Sequence, residues 1–211
     1  MQPEFWHKKW QRNEIGFHRS DIHPYLVKYW PSLKAKGSVF VPLCGKSKDM
    51  TWLKSQNHKI IGIELSEIAV LDFFAERGVK PIADPKGALT CLEADKYQIY
   101  VGDFFQIETQ HIAQCHTIYD RAALIALPPD MQKKYVAHLK SLFSNGTQIL
   151  LITLSYTDEN VSGPPFSTPP DRVRKLYGNW CDIKHVMTST TEDFRGTSAQ
   201  EHVFQLTVKN L

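Results

Sequence analysis

The stretch Ser38-Val-Phe-Val-Pro-Leu-Cys-Gly-Lys-Ser-Lys-Asp49, taken with Ile60-Ile-Gly-Ile-Glu-Leu-Ser66, decides the fold. A short apolar strand ends in a turn containing Gly45, a helix follows, and a second apolar strand stops on Glu64. That order sets a tight βα turn beside a carboxylate at the tip of the adjacent parallel strand. Open α/β sheets hold nucleosides in this way: the turn receives one end and the acid accepts hydrogen bonds from ribose hydroxyls. Gly45 and Glu64 are 19 residues apart, close to the roughly 20 of such units. The turn has one glycine where the dinucleotide fingerprint has three. The reading is therefore a nucleoside site that is not built for a pyrophosphate.

Working outward, an aromatic segment (Phe5, Trp6, Trp10, Phe17) leads into a predicted helix over Ile22 to Trp30, broken by Pro31. Strand Val39 to Leu43, helix Lys48 to Gln56 and strand Lys59 to Glu64 follow, and Ser66 caps a helix that ends at Gly78. Residues 84 to 96 read as a loop with a possible short strand. Strands are expected at Tyr97 to Gly102, His116 to Tyr119 and Gln148 to Ser155, with a helix over Met131 to Phe143. A loop rich in Pro, Gly, Ser and Thr spans 157 to 170, then a short helix precedes two strands at Ile183 to Thr190 and His202 to Val208. The pattern implies a mostly parallel sheet of seven strands, with helices on both faces and an antiparallel C-terminal strand pair.

The chain has 211 residues, 42% apolar and 22% charged, which fits one soluble domain over residues 1–211. A net charge of +3 with interspersed signs and no basic stripe argues against a nucleic-acid partner. No apolar run approaches the roughly 20 residues of a membrane span, and the first residues lack the apolar core of a signal peptide. Cys44, Cys91, Cys115 and Cys181 form no C-x-x-C pair, which reads as reduced thiols in a cytoplasmic enzyme. Nine histidines make no H-E-x-x-H or Cys/His cluster, so no metal site is expected. The same features lead us to expect a monomer.

Four motifs carry a resemblance: Trp6-x-x-x-Trp10 with Phe17-His18, Val41-Pro-Leu-Cys-Gly-Lys46, Asp120-Arg121-x-Ala123-Leu124, and Ser162-Gly-Pro-Pro-Phe166. Their combination resembles the thiopurine S-methyltransferase family, within the Rossmann-like class I S-adenosylmethionine-dependent methyltransferases, and a bacterial member of it. The resemblance implies S-adenosyl-L-methionine as cofactor, S-adenosyl-L-homocysteine as product, and a small-molecule aromatic or heterocyclic thiol as acceptor. Selenium and tellurium compounds are further acceptors at the level of the family. It also implies that residues 1–30 form a lid over the cofactor. The alternatives are another small-molecule methyltransferase of the same fold and a nicotinamide-dependent oxidoreductase, which shares the Glu64 logic but needs the missing glycines.

The resemblance gives cofactor roles to Trp10, Leu43, Gly45, Glu64, Asp103, Phe104 and Arg121, and acceptor roles to Phe17, Arg121, Phe166 and Arg195. Ordinary roles stand beside several of these. Asp103 reads equally as a capping residue, Arg121 as a structural partner of Asp120 or of an acid elsewhere, and Trp6 with Trp10 as an apolar helix stripe. His18 is a candidate proton acceptor, with a packing role as its alternative. No catalytic dyad is evident. None is required if the acceptor is an acidic thiol and catalysis consists of positioning and water exclusion.

Overall fold

In a computed structural model, which describes residues 3–158 and 160–209, the chain forms two compact units, Met1–Ile118 and Tyr119–Leu211. Each is best described from its apolar runs.

In the first unit, β1 (Ser38–Pro42) and β2 (Ile60–Glu64) are buried along their whole length, as expected of strands covered on both faces. They pair in parallel, with Val39 opposite Ile60 and Pro42 opposite Ile63. β2 pairs in parallel with β5 (Tyr97–Val101), and β1 with the first residues of β6 (Cys115–Arg121). Helix α1 (Pro3–Gln11) buries Trp10, and the short α2 (Pro24–Tyr29) is capped by the His23 ring, which accepts from the Tyr25 amide. Helix α3 (Asp49–Ser55) joins β1 to β2, and α4 (Glu67–Ala75) follows β2. The Ser66 side chain caps α4 by accepting from Ala69. Its inward face is Ala69, Val70, Phe73 and Phe74.

The expected count of seven strands is corrected to nine among the described residues. The added pair is a hairpin, β3 (Ile82–Lys86) and β4 (Leu89–Ala94), joined through Gly87 at φ 64°. β4 pairs antiparallel with β5. β3 reads Ile-Ala-Asp-Pro-Lys and is exposed throughout, so it lacks the alternation that betrays a strand. Its proline and charges suit an edge. Antiparallel pairing is thus more extensive than "mostly parallel" implied.

The second unit takes up the end of β6 and continues through α5 (Pro129–Leu142), β7 (Gln148–Tyr156), α6 (Pro170–Tyr177), β8 (Cys181–Phe194) and β9 (Thr197–Val208). β9 lies between β7 and β8 and is antiparallel to both. Helix α5 begins on proline at its first position and buries Gln132, Tyr135, Val136, Leu139 and Leu142 along one stripe. Each such fully buried leucine or valine contributes roughly 1.5–3 kcal/mol. β8 and β9 are longer than the sequence suggested, because their two-residue turn, Arg195-Gly196, lacks the usual asparagine or glycine at its first place. Among the described residues, no helix is long and apolar enough to cross a membrane.

Candidate active site

The turn after β1 has two left-handed residues within three positions. Leu43 has φ 47° and Gly45 φ 50°. A branched residue such as leucine enters this left-handed region at about 1–2 kcal/mol, and such strain gathers at functional sites. Glu64 holds the turn. Its Oε2 accepts from the Gly45 amide at 2.9 Å and its Oε1 from the Ser66 amide at 2.9 Å. The side chain is 7% exposed, and burial raises the carboxyl above its ordinary range while the amides of Ser66, Gly45 and Leu65 pull it down. Two carboxylate oxygens have about four lone-pair directions, so the amides leave room for a hydroxyl donor.

Beneath the turn, a Cβ added at Gly62 would come within 2.8 Å of Cys44 Sγ, so glycine is what admits that thiol. Burial, and after it the charge of Glu64, pushes the Cys44 thiol well above its usual value. A thiol kept protonated is no nucleophile.

Trp10 lies over the same turn. A Cβ at Gly45 would be 3.2 Å from Trp10 Cζ2. Phe17 stands edge-on to both Trp6 and Trp10, at 5.6 Å from each ring, and is 37% exposed. The two tryptophans therefore share a helix face, as i, i+4 spacing requires. His18 is placed beside α4: Glu76 is held below the normal carboxylate range first by Lys46, and more weakly by His18. Lys46 itself is clamped by Glu76 at 2.8 Å and Asp72 at 3.3 Å.

At the end of β5, Asp103 is exposed and caps the following turn, its Oδ1 accepting from the Phe105 amide at 3.0 Å. The capping role is thus filled, through one of two oxygens. Phe104 is 6% exposed and meets Phe105 edge-on at 5.5 Å.

In the second unit, Asp120 and Arg121 do not pair. Asp120 is fully buried, accepting from Tyr135 Oη at 2.7 Å and from the Leu124 amide at 3.2 Å. Burial pushes its carboxyl up to about 6. The partly buried Arg121, followed by Ala122 at φ 66°, makes no hydrogen bond or ion pair with its side chain among the described residues. Its guanidinium is available to a ligand.

Phe166 is partly buried, its amide donating to Ile125 O at 2.6 Å. Its ring rests on Gly163, where a Cβ would stand 2.5 Å from ring atoms. Arg195 donates Nη1 to Ser162 O at 3.0 Å and Nη2 to Pro164 O at 2.8 Å. The guanidinium expected at the acceptor is thus engaged by loop carbonyls. Sequence reasoning missed Tyr156, whose hydroxyl donates to Pro165 O at 2.9 Å. Its only signal was an aromatic residue just past a central strand.

The solved structure of the 1,6-didemethyltoxoflavin-N1-methyltransferase of Burkholderia thailandensis, with 1,6-didemethyltoxoflavin and S-adenosylhomocysteine bound, is similar over 99% of this chain and 87% of its own. The TM-score is 0.66 at 12% identity, a likeness of fold. The fold is that of the class I methyltransferases. A family model, thiopurine S-methyltransferase, matches residues 1–209. A thiopurine S-methyltransferase of Marinobacter nauticus is 46% identical over 89% of this chain and 86% of its own length. One of Shewanella amazonensis is 48% identical over 87% and 85%. The chain belongs to the thiopurine S-methyltransferase family.

Proposed function

We propose that this protein transfers the methyl group of S-adenosylmethionine to the sulfur of a small aromatic or heterocyclic thiol. One observation carries the cofactor half of this reading. A strained turn at Leu43 and Gly45 is fixed by a buried Glu64 that keeps lone pairs for further donors. This set of acceptors fits the hydroxyls of a ribose, and a single glycine suits a cofactor without phosphates. Glu64 takes the ribose hydroxyls, the Leu43 backbone takes the amino-acid end where Gly45 lets it approach closely, and Phe104 with Asp103 takes the adenine. When bound, S-adenosylmethionine supplies an electrophilic methyl group on a sulfonium. Residues 1–30 act as a lid, with Trp10 over the turn, and Phe17 and Phe166 keep the acceptor roles that the family resemblance gives them.

Arg121 has the chemical task. A cation about 4–6 Å from a thiol lowers its pKa by roughly 1–3 units, so the acceptor enters as thiolate without a general base. The lid excludes water, which strengthens that pairing. The partner is a small molecule rather than a nucleic acid, and we propose a cytoplasmic monomer.

The test is a methyl-transfer screen over aromatic thiols, aliphatic thiols and selenium compounds. Aromatic thiols should be methylated. In Arg121→Ala, kcat/KM should fall about 10- to 100-fold, the kinetic counterpart of losing one to two pKa units of thiolate stabilisation. The fall should be greatest for thiols that are neutral at the assay pH. Absence of transfer to any thiol refutes the function, and unchanged kinetics in the variant removes Arg121 from the site.

A further inference from the structure

We infer that Arg195 and Tyr156 are positioning residues. Together they clamp the loop that carries Phe166 and so hold that wall of the acceptor site in place without touching the acceptor. The inference rests on the proposal that Phe166 faces the acceptor.

Three observations converge. The first is the conformation of Arg195 itself. Phe194 pairs with Thr197, leaving a two-residue turn in which Arg195 (φ 53°) and Gly196 (φ 78°) are both left-handed. Asparagine, aspartate or glycine fills the first place of such turns at least strain. An arginine there points to a role for its side chain.

The second is where the guanidinium goes. Its two terminal nitrogens donate to the carbonyls of Ser162 and Pro164 at 3.0 and 2.8 Å. The planar fork matches two acceptors held at a fixed spacing, which a lysine cannot reproduce. The two hydrogen bonds hold the guanidinium against the backbone of the loop.

The third is that the rest of the loop is held from the same side of the sequence. Tyr156 Oη donates to Pro165 O at 2.9 Å, and the Tyr156 ring stacks on Phe194 at 5.6 Å and 28°. Ser167 Oγ accepts from the Tyr156 amide at 3.0 Å and donates to the Tyr156 carbonyl at 2.8 Å. Thr168 Oγ1 donates to Phe166 O at 2.9 Å. The carbonyls of residues 162, 164, 165 and 166 are therefore all engaged, and the Phe166 ring lies against the bare Cα of Gly163. The hairpin tip and the end of β7 act as two jaws on one loop.

The experiment compares the full-length protein with Arg195→Gln, Arg195→Lys and Tyr156→Phe. The first readout is amide hydrogen exchange at Phe166 and Ser167 in the ligand-free protein. The second is kcat and KM for thiophenol and for 2-mercaptobenzoic acid, which differ by a carboxylate. A clamp predicts faster exchange at Phe166 in Arg195→Gln and in Tyr156→Phe. It also predicts a drop in kcat/KM of about tenfold that is equal for the two acceptors, with Lys restoring less than half of the exchange protection. Direct contact predicts loss for the carboxylate-bearing thiol alone, with exchange unchanged, and would overturn the inference. If the parent protein methylates no thiol, the functional reading fails, while the exchange measurement still decides whether the clamp exists.

Discussion

Asp120→Asn should make the protein more stable at neutral pH, although it removes a buried residue with two hydrogen bonds. In the folded chain, burial pushes the Asp120 carboxyl from its usual 3.8 up to about 6, against the pull of Tyr135 and the turn amides. Between those values the folded state binds a proton that the unfolded state has released. The free energy of unfolding therefore falls as pH rises through this window. Two pH units at about 1.36 kcal/mol each amount to a cost of about 3 kcal/mol above pH 6. Asparagine keeps an oxygen for the Leu124 amide and places an NH2 group where the Tyr135 oxygen can accept, so it imitates the protonated acid. The expected gain is about 1–3 kcal/mol at pH 7.5, or a few degrees in Tm for a chain of this size, shrinking to nothing near pH 4. Urea or thermal melts of parent and variant from pH 4.5 to 8 measure it. Only the difference between the two proteins isolates Asp120. The His202 imidazole, pushed down to about 4 by burial, gives the opposite slope: its stabilisation is lost as pH falls. A variant less stable than the parent at every pH, by an amount independent of pH, would refute the desolvation argument.

Glu64→Gln should weaken binding of S-adenosylhomocysteine in calorimetric titration by roughly 10- to 100-fold, the range for lost hydrogen bonds to a charged group. An unchanged Kd with an intact fold would take Glu64 out of the cofactor site. Gly45→Ala places a methyl group 3.2 Å from the Trp10 ring at φ 50°, so Tm should fall by an amount equivalent to about 1–2 kcal/mol. Tryptophan fluorescence should shift with it, and an unaltered emission spectrum would contradict the contact.

The first half of the site was legible because local rules govern it. A strand that stops on an acid, a turn with one glycine and a serine cap are short-range signals, and β1, β2, Glu64 and Ser66 fall where those signals put them. The pairing of Asp120 with Arg121 was a poor alternative for the same local reason: neighbours on a strand point to opposite faces. What escaped is non-local. β3 shows as a strand only through its partner β4, since its own side chains are all exposed. Tyr156 meets Pro165 nine residues on, and Arg195 reaches carbonyls 31 and 33 residues back. No periodicity encodes such contacts. Arg195 shows the same limit, because residue type reveals a fork without revealing that it holds the carbonyls of Ser162 and Pro164.

Glu64 and Asp120 turn out to be the same device used twice. Each is a carboxylate at or near the end of a buried strand, each accepts from backbone amides of a neighbouring turn, and each is raised by desolvation before anything else. Each turn contains a non-glycine residue at positive φ, Leu43 in one and Ala122 in the other. Neither arrangement favours stability: a buried charge and a left-handed non-glycine residue both oppose folding. Two such costs at two strand ends are hard to attribute to the fold, which would be served by a neutral cap. They follow if each turn must hold its own residue, Leu43 in one and Arg121 in the other, in a fixed position. On this view, what keeps each turn rigid is the hydrogen-bonding shape of its acid rather than the charge. Asp120→Asn, which keeps the hydrogen-bonding shape, should spare the turn and its arginine, whereas Asp120→Ala, which leaves the Leu124 amide and Tyr135 hydroxyl without a partner, should lose both stability and methyl transfer.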